Sequence, residues 1–163
     1  MCADPAPPKY PAAFSAEITR YRSGQAPHTG FWWYSQTHNA ERFDITYRNH
    51  LDQEVNEKIW ALHSESTAYV TKASLTEFTC HKFPISHLVF HPNFAGFHYR
   101  GQDTIGNDPP QLCDHWADRM DNETIGYFDR VTTDHTPVRL DRHRIDSEHL
   151  EAITFQGISV GPQ

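Results

Sequence analysis

Along most of the 163-residue chain, apolar and polar side chains alternate one for one in short segments set apart by turn residues. Successive side chains of an extended strand point to opposite faces, so this period of two predicts an antiparallel sheet with one apolar face. Phe14, Ala16 and Ile18 alternate with Ser15, Glu17 and Thr19. After a turn between Gly24 and Gly30 comes Phe31-Trp32-Trp33-Tyr34, and after Asn39 the residues Phe43, Ile45 and Tyr47 alternate with Asp44, Thr46 and Arg48. Further strands are expected at Ile59 to Leu62, Tyr69 to Phe78, Phe97 to Arg100, Ile125 to Val131, Val138 to Ile145 and Ile153 to Val160, about eight to ten in all.

Helical signals are few and short. Pro84 reads as the first turn of a helix carrying Ile85, Leu88 and Val89 on one face and stopped by Pro92, and Asp114 reads as the cap of a turn running to Met120 and carrying Trp116. The expected fold class is mainly β, a strongly curved antiparallel sheet or open barrel with one or two short helices. Residues 1–12 read as a Pro-rich N-terminal tail and residues 13–163 as a single β-rich domain.

One segment breaks the alternation. In Phe31-Trp32-Trp33-Tyr34 adjacent aromatic residues point to opposite faces, so both faces of that strand are expected to meet something apolar: a covering helix, a second sheet, a subunit or a ligand cavity. Aromatic content gives the same emphasis, with 10 Phe, 7 Tyr and 4 Trp. That many rings argue for a packed core and against disorder. The 14 Lys and Arg against 21 Asp and Glu form no basic stripe for a nucleic-acid groove, and no apolar run reaches the roughly 18 residues of a membrane-spanning helix.

Three cysteines cannot all pair within one chain. Cys2 lies in the tail, which leaves Cys80 and Cys113 as either a disulfide, stabilising by roughly 3–4 kcal/mol, or two reduced thiols. Met1 is followed by no apolar signal-peptide core, so the chain reads as either cytosolic or the product of processing. Asn122-Glu123-Thr124 is a glycosylation sequon, with Asn122 as the acceptor.

The 12 histidines raise the question of metal or acid–base chemistry. Cys80-His81 with Cys113 and His115 holds the ligand types of a zinc site, but adjacent Cys and His lie on opposite faces of a strand. His87 and His91 share a face at helical spacing, with His98 nearby, and no spacing fixes a third ligand. There is no Gly-x-Ser-x-Gly elbow and no Gly-rich phosphate loop. Asp44 with a facing His is a conceivable acid–base pair, and Asp141-Arg142-His143-Arg144 reads as a solvated strand face of alternating charge. No catalytic residue, metal or cofactor is therefore assigned.

The order of segments resembles the ependymin-related and LolA-like proteins. The resemblance is carried by Pro7-Pro8 through Phe14-Ser15-Ala16-Glu17-Ile18, by Ala40-Glu41-Arg42-Phe43-Asp44, and by Leu112-Cys113-Asp114-His115-Trp116. It continues through Ile125-Gly126-Tyr127-Phe128-Asp129, Thr136-Pro137-Val138-Arg139-Leu140, Ile153-Thr154-Phe155 and Val160-Gly161-Pro162. It implies a half-barrel of antiparallel strands around helices, an exported protein, binding of lipids or other hydrophobic molecules without catalysis, and pairing of Cys80 with Cys113. The chain departs from vertebrate-type ependymins in having too few cysteines and in stopping soon after Gly161-Pro162.

The resulting expectation is a secreted, non-catalytic carrier of a lipid, isoprenoid or pigment, lined by Trp32, Trp33, Tyr34, Phe43, Phe97, Tyr99, Phe128 and Phe155. A hydrophobic small molecule is the expected partner, with no nucleic acid and no membrane span, and a homodimer is left open. Two alternatives come from other classes: a small enzyme using cavity histidines as acid and base on a hydrophobic substrate, and an interaction module docking through exposed aromatics.

Overall fold

Alternation along the chain becomes eleven strands in the computed structural model, which describes residues 4–89, 93–106, 109–118, 122–130, 136–144 and 150–161. They are β1 (Ala13–Arg22), β2 (His28–Ser35), β3 (Ala40–Arg48), β4 (Glu54–Leu62), β5 (Thr67–Ala73), β6 (Phe78–Pro84), β7 (His98–Ile105), β8 (Gln111–Asp118), β9 (Asn122–Asp129), β10 (Pro137–Arg144) and β11 (Leu150–Val160). The sheet order is β6-β5-β4-β3-β2-β1-β11-β10-β9-β8-β7, so the mainly β fold is a single antiparallel sheet that ends at β6 and β7 rather than closing on itself. The only helix among the described residues is a 3-10 turn at His63–Glu65.

Both expected helices are corrected. Pro84 ends strand β6 opposite Thr67, and the amide of Ile85 donates to the Ser66 carbonyl at 3.1 Å. Asn39, itself in the left-handed region at φ 50, holds the segment that follows. Its Nδ2 donates to the His87 carbonyl at 2.7 Å, and its Oδ1 accepts from the Val89 amide at 2.8 Å. Gln111–Asp118 is strand β8. Its buried residues Cys113, Asp114, Trp116 and Ala117 come in adjacent pairs because both faces are covered, which erases the alternation that would have marked a strand. The Asp114 carboxylate, read as a helix cap, instead accepts from the Tyr99 hydroxyl at 2.7 Å.

The chain forms two compact units. The β1–β6 unit comprises Pro11–Arg20, Gln25–His91 and Gln156–Gln163. Its registers run unbroken from β1 to β6, and one face collects Phe14, Ile18, Trp32, Tyr34, Ile45 and Ala68, all buried. Phe14 stacks on Tyr34 at 5.1 Å and meets Trp32 edge-on, and Trp32 stacks on Phe43. The opposite face accounts for the all-aromatic strand. Phe31 and Trp33 stack on each other, and the Arg42 guanidinium lies 4.9 Å from the Trp33 ring centre and 5.4 Å from that of Trp60. Trp33, Arg42, Trp60, Tyr69 and Lys82 are successive cross-strand partners, so the outer rings are covered by cations instead of a second apolar layer.

The β7–β10 unit comprises Met1–Tyr10, Tyr21–Gly24 and Pro92–Phe155. Three of its core rings come from outside the strands. Tyr10, from the segment read as a tail, meets Phe128 and Phe155 edge-on, and Phe94 meets Phe97 and Phe128. Lys9 bridges to Asn93, and the Phe94 amide donates to the Pro8 carbonyl at 3.2 Å. Phe94 lies so close over Gly126 that any Cβ there would strike its ring, so glycine at 126 is a packing requirement. A register shift between Tyr99 and Gln102 spans Gly101, whose φ of 91 only glycine adopts freely.

Candidate functional site

The eight rings expected to line a ligand cavity fall into the two units. Trp32, Trp33, Tyr34 and Phe43 belong to the β1–β6 unit and Phe97, Tyr99, Phe128 and Phe155 to the β7–β10 unit. Trp32, Tyr34 and Phe128 are fully buried against other rings, and Tyr99 packs on Trp116 at 5.2 Å. Burial, helped by Asp114, pushes the Tyr99 hydroxyl up to about 12, and burial with the Glu41 charge does the same for Tyr34. None of the eight lines the cleft of about 440 Å³ at Tyr21 and Arg139 or the cleft of about 310 Å³ at Tyr47 and His81.

The larger cleft, about 440 Å³, belongs to the β7–β10 unit and is half open. The end of β1 and the turn after it supply Tyr21, Arg22 and Ser23, the end of β7 supplies Ile105 and Gly106, β10 supplies Arg139, and β11 supplies Ala152 and Thr154. Strand parity explains the set, because Arg139 pairs with Thr154 and Asp141 with Ala152, placing these alternate residues on one face. In the same unit Cys113, Tyr127 and Val138 form a small apolar core with Ile105 and Ile125 packed against it, and the pairing of Arg139 with Tyr127 and of Asp141 with Ile125 puts these two rows on one face.

Two guanidiniums reach the cleft. Arg139 donates to Asp141 through Nε at 2.6 Å and through Nη2 at 3.0 Å, a two-pronged ion pair, with its guanidinium over the Tyr127 ring at 5.7 Å. Burial lowers the proton affinity of Arg139, but the hydrogen bond and charge of Asp141 more than offset it; burial raises the Asp141 carboxyl despite Arg139. Asp141 is thus a buried partner and not part of the solvated face expected for residues 141–144; the side chains of His143 and Arg144 lie outside the described residues. Arg22 donates through Nε to Glu151 at 3.0 Å in an exposed pair.

The smaller cleft, about 310 Å³, is in the β1–β6 unit and is polar, lined by Tyr47, Lys72, Glu77 and His81 among others. Lys72 is committed to Glu57 at 3.4 Å, and Glu57 also faces the buried Arg20 at 3.5 Å.

The remaining sequence candidates separate. Cys80 and Cys113 are free thiols, Cys80 exposed and Cys113 buried, so the expected disulfide is not formed. Burial, with Asp129, Asp103 and Asp114 nearby, pushes the Cys113 thiol up to about 11. Asp44 is engaged by Asn56 at 2.7 Å and Arg42 at 3.6 Å rather than by a histidine. His115 donates through Nδ1 to the Gly101 carbonyl at 3.0 Å and stacks on Tyr127. Among the described residues no three metal-ligating side chains converge. Cys2, His91 and the Asn122 side chain lie outside the described residues. The Arg139–Asp141 pair was missed because i, i+2 charges on a strand look the same whether that face is wet or covered.

No helix among the described residues is long and apolar enough to cross a membrane. No protein-family model and no curated protein matches the chain. Solved structures do. An uncharacterized conserved protein from Thermus thermophilus aligns over 93% of this chain and 80% of its own, at 7% identity and a TM-score of 0.49. MucB in the MucA/MucB complex of Pseudomonas aeruginosa aligns over 93% of this chain and 53% of its own, at 15% identity and a TM-score of 0.39. A DUF1329 family protein from Desulfovibrio piger aligns over 94% and 88%, at 7% identity and a TM-score of 0.27.

Proposed function

We propose that this is a non-catalytic binding protein for a hydrophobic or amphiphilic small molecule, held in the cleft of the β7–β10 unit. The observation that carries the reading is the make-up of that cleft: Tyr21, Ile105 and Ala152 offer apolar surface, Ser23 and Thr154 offer hydroxyls, and Arg22 and Arg139 stand beside them. Its volume falls in the range of about 300–1,000 Å³ typical of small-molecule sites. An acyl or isoprenoid body covers the apolar part, and an anionic headgroup competes with Glu151 for the exposed Arg22, the looser of the two ion pairs. Arg139 stays with Asp141 and fixes the floor. On this reading the eight rings belong to the scaffold, and the ligand does not enter between them.

The test is displacement of a fluorescent fatty-acid probe from the full chain. Micromolar binding is expected, weakened at least about tenfold by Ala152→Trp, which fills the cleft, and two- to threefold by Arg22→Ala. Absence of probe binding, or unchanged binding by a folded Ala152→Trp variant, overturns the reading. An extracytoplasmic location belongs to the same proposal and rests on the family resemblance and the sequon; a glycan at Asn122 on protein from its natural source checks it.

A further inference from the structure

We propose that strand β6 is a self-recognition edge, at which two copies of this chain pair antiparallel, β6 on β6, about a two-fold axis at Cys80. Among the described residues β6 has a neighbour on one side only. The Ser74 amide donates to Glu77 at 2.8 Å and the Ile85 amide to Ser66 at 3.1 Å, and these mark hydrogen-bonded pairs at both ends of the β5–β6 register. Hydrogen-bonded and non-bonded pairs alternate in an antiparallel ladder, so Thr79, His81 and Phe83 turn their backbone toward β5. Phe78, Cys80, Lys82 and Pro84 turn theirs to the open edge.

That edge lacks most of the usual protections. Its register is unbroken over all seven residues, whereas the other end strand, β7, carries a register shift. Phe78 is 69% exposed, and Cys80, Lys82 and Phe83 are exposed as well. Lys82 is the single charge, and Pro84 the single residue without a donor.

The occupant follows from which partner strand fits these groups. With Cys80 opposite Cys80 and Phe78 opposite Lys82, every outward N–H and C=O of the three residues finds a mate, and Pro84 falls outside the paired stretch. Moving the partner one step brings Phe78 against Pro84, which has no N–H to give. Moving it further brings Lys82 against Lys82. The opposite shift sets Lys82 against the turn residue Thr76. Only the register centred on Cys80 pairs all three residues without meeting Pro84, a second Lys82 or the turn, and it sets each Lys82 opposite the exposed Phe78 ring of the second copy, within reach of a cation–π contact. Hydrogen-bonded cross-strand residues have Cα atoms about 5.5 Å apart, within the disulfide range.

The full chain carrying Cys2→Ser, studied under reducing conditions by analytical ultracentrifugation, is expected to show a concentration-dependent monomer–dimer equilibrium. Lys82→Pro removes an outward N–H and no bond to β5, so it is expected to weaken the dimer at least about tenfold with near-ultraviolet circular dichroism unchanged. Phe78→Lys, which sets like charges opposite each other, has the same expected effect by an independent route. Oxidised glutathione then converts two Cys80 thiols into one disulfide, their two electrons and two protons leaving as two glutathione thiols, and peptide mapping is expected to find Cys80 joined to Cys80. A monomer at every soluble concentration, a dimer indifferent to both variants, or a Cys80–Cys113 bond within one chain overturns the proposal.

Discussion

The two units bury aromatic rings by different routes. In the β1–β6 unit the core rings Phe14, Trp32, Tyr34 and Phe43 are alternate residues of three adjacent strands, and the register alone brings them together. In the β7–β10 unit the strand residues Trp116 and Phe128 are closed over by Tyr10, Phe94 and Phe97, which the chain supplies from segments with no ladder of their own. A core built by register is fixed once the strands pair. A core built by capping also depends on a few non-strand residues, and their loss opens it.

Removing a ring tests that contrast most strongly. Phe94→Ala and Trp32→Ala are each expected to cost about 3–5 kcal/mol in denaturant unfolding. Hydrogen exchange should separate them: Phe94→Ala loosens amides of β8 and β9 first, whereas Trp32→Ala leaves the β2–β3 ladder bonded until the unit opens as a whole. Equal loosening everywhere in both variants breaks the comparison. Gly126→Ala is expected to cost about 1–3 kcal/mol, because its methyl group must displace the Phe94 ring.

Alkaline pH comes next. Cys113, Tyr34 and Tyr99 all have raised values, so each contributes stability that is complete below its ordinary value, 9.0 for the thiol and 10.0 for the phenols. That contribution is lost as pH rises through about 11 and about 12 respectively. Denaturant midpoints should therefore hold level up to about pH 9 and fall beyond it; a rise there contradicts the burial of these groups. The smallest effect is Arg42→Ala, about 0.5–1 kcal/mol, since the cation–π row it joins is at the surface.

How much of this was legible depended on whether one face of a strand stayed wet. Strands β1 and β3 could be read directly because Ser15, Glu17, Asp44 and Thr46 interrupt the apolar residues on schedule. Strand β8 could not, since Cys113, Asp114, Trp116 and Ala117 are buried on both faces and Asp114 imitates a helix cap. Pro84 misled for a related reason: its missing donor opens a helix or ends an edge strand equally well. The fold class followed from parity, whereas the cleft depends on strand ends, Tyr21 to Ser23 and Ile105, that approach only in three dimensions. Aromatic composition announced packing, and ring count alone does not distinguish a lined hollow from a filled core.

The alternating row Trp33, Arg42, Trp60, Tyr69 and Lys82 also gives the molecule a built-in optical signature. Two of its four indoles flank one guanidinium on an outer face, while Trp32 and Trp116 are sealed from water. Emission from the first pair responds to salt and to surface ligands, and emission from the second pair to melting, so a single spectrum separates events at the skin of the protein from those in its depths.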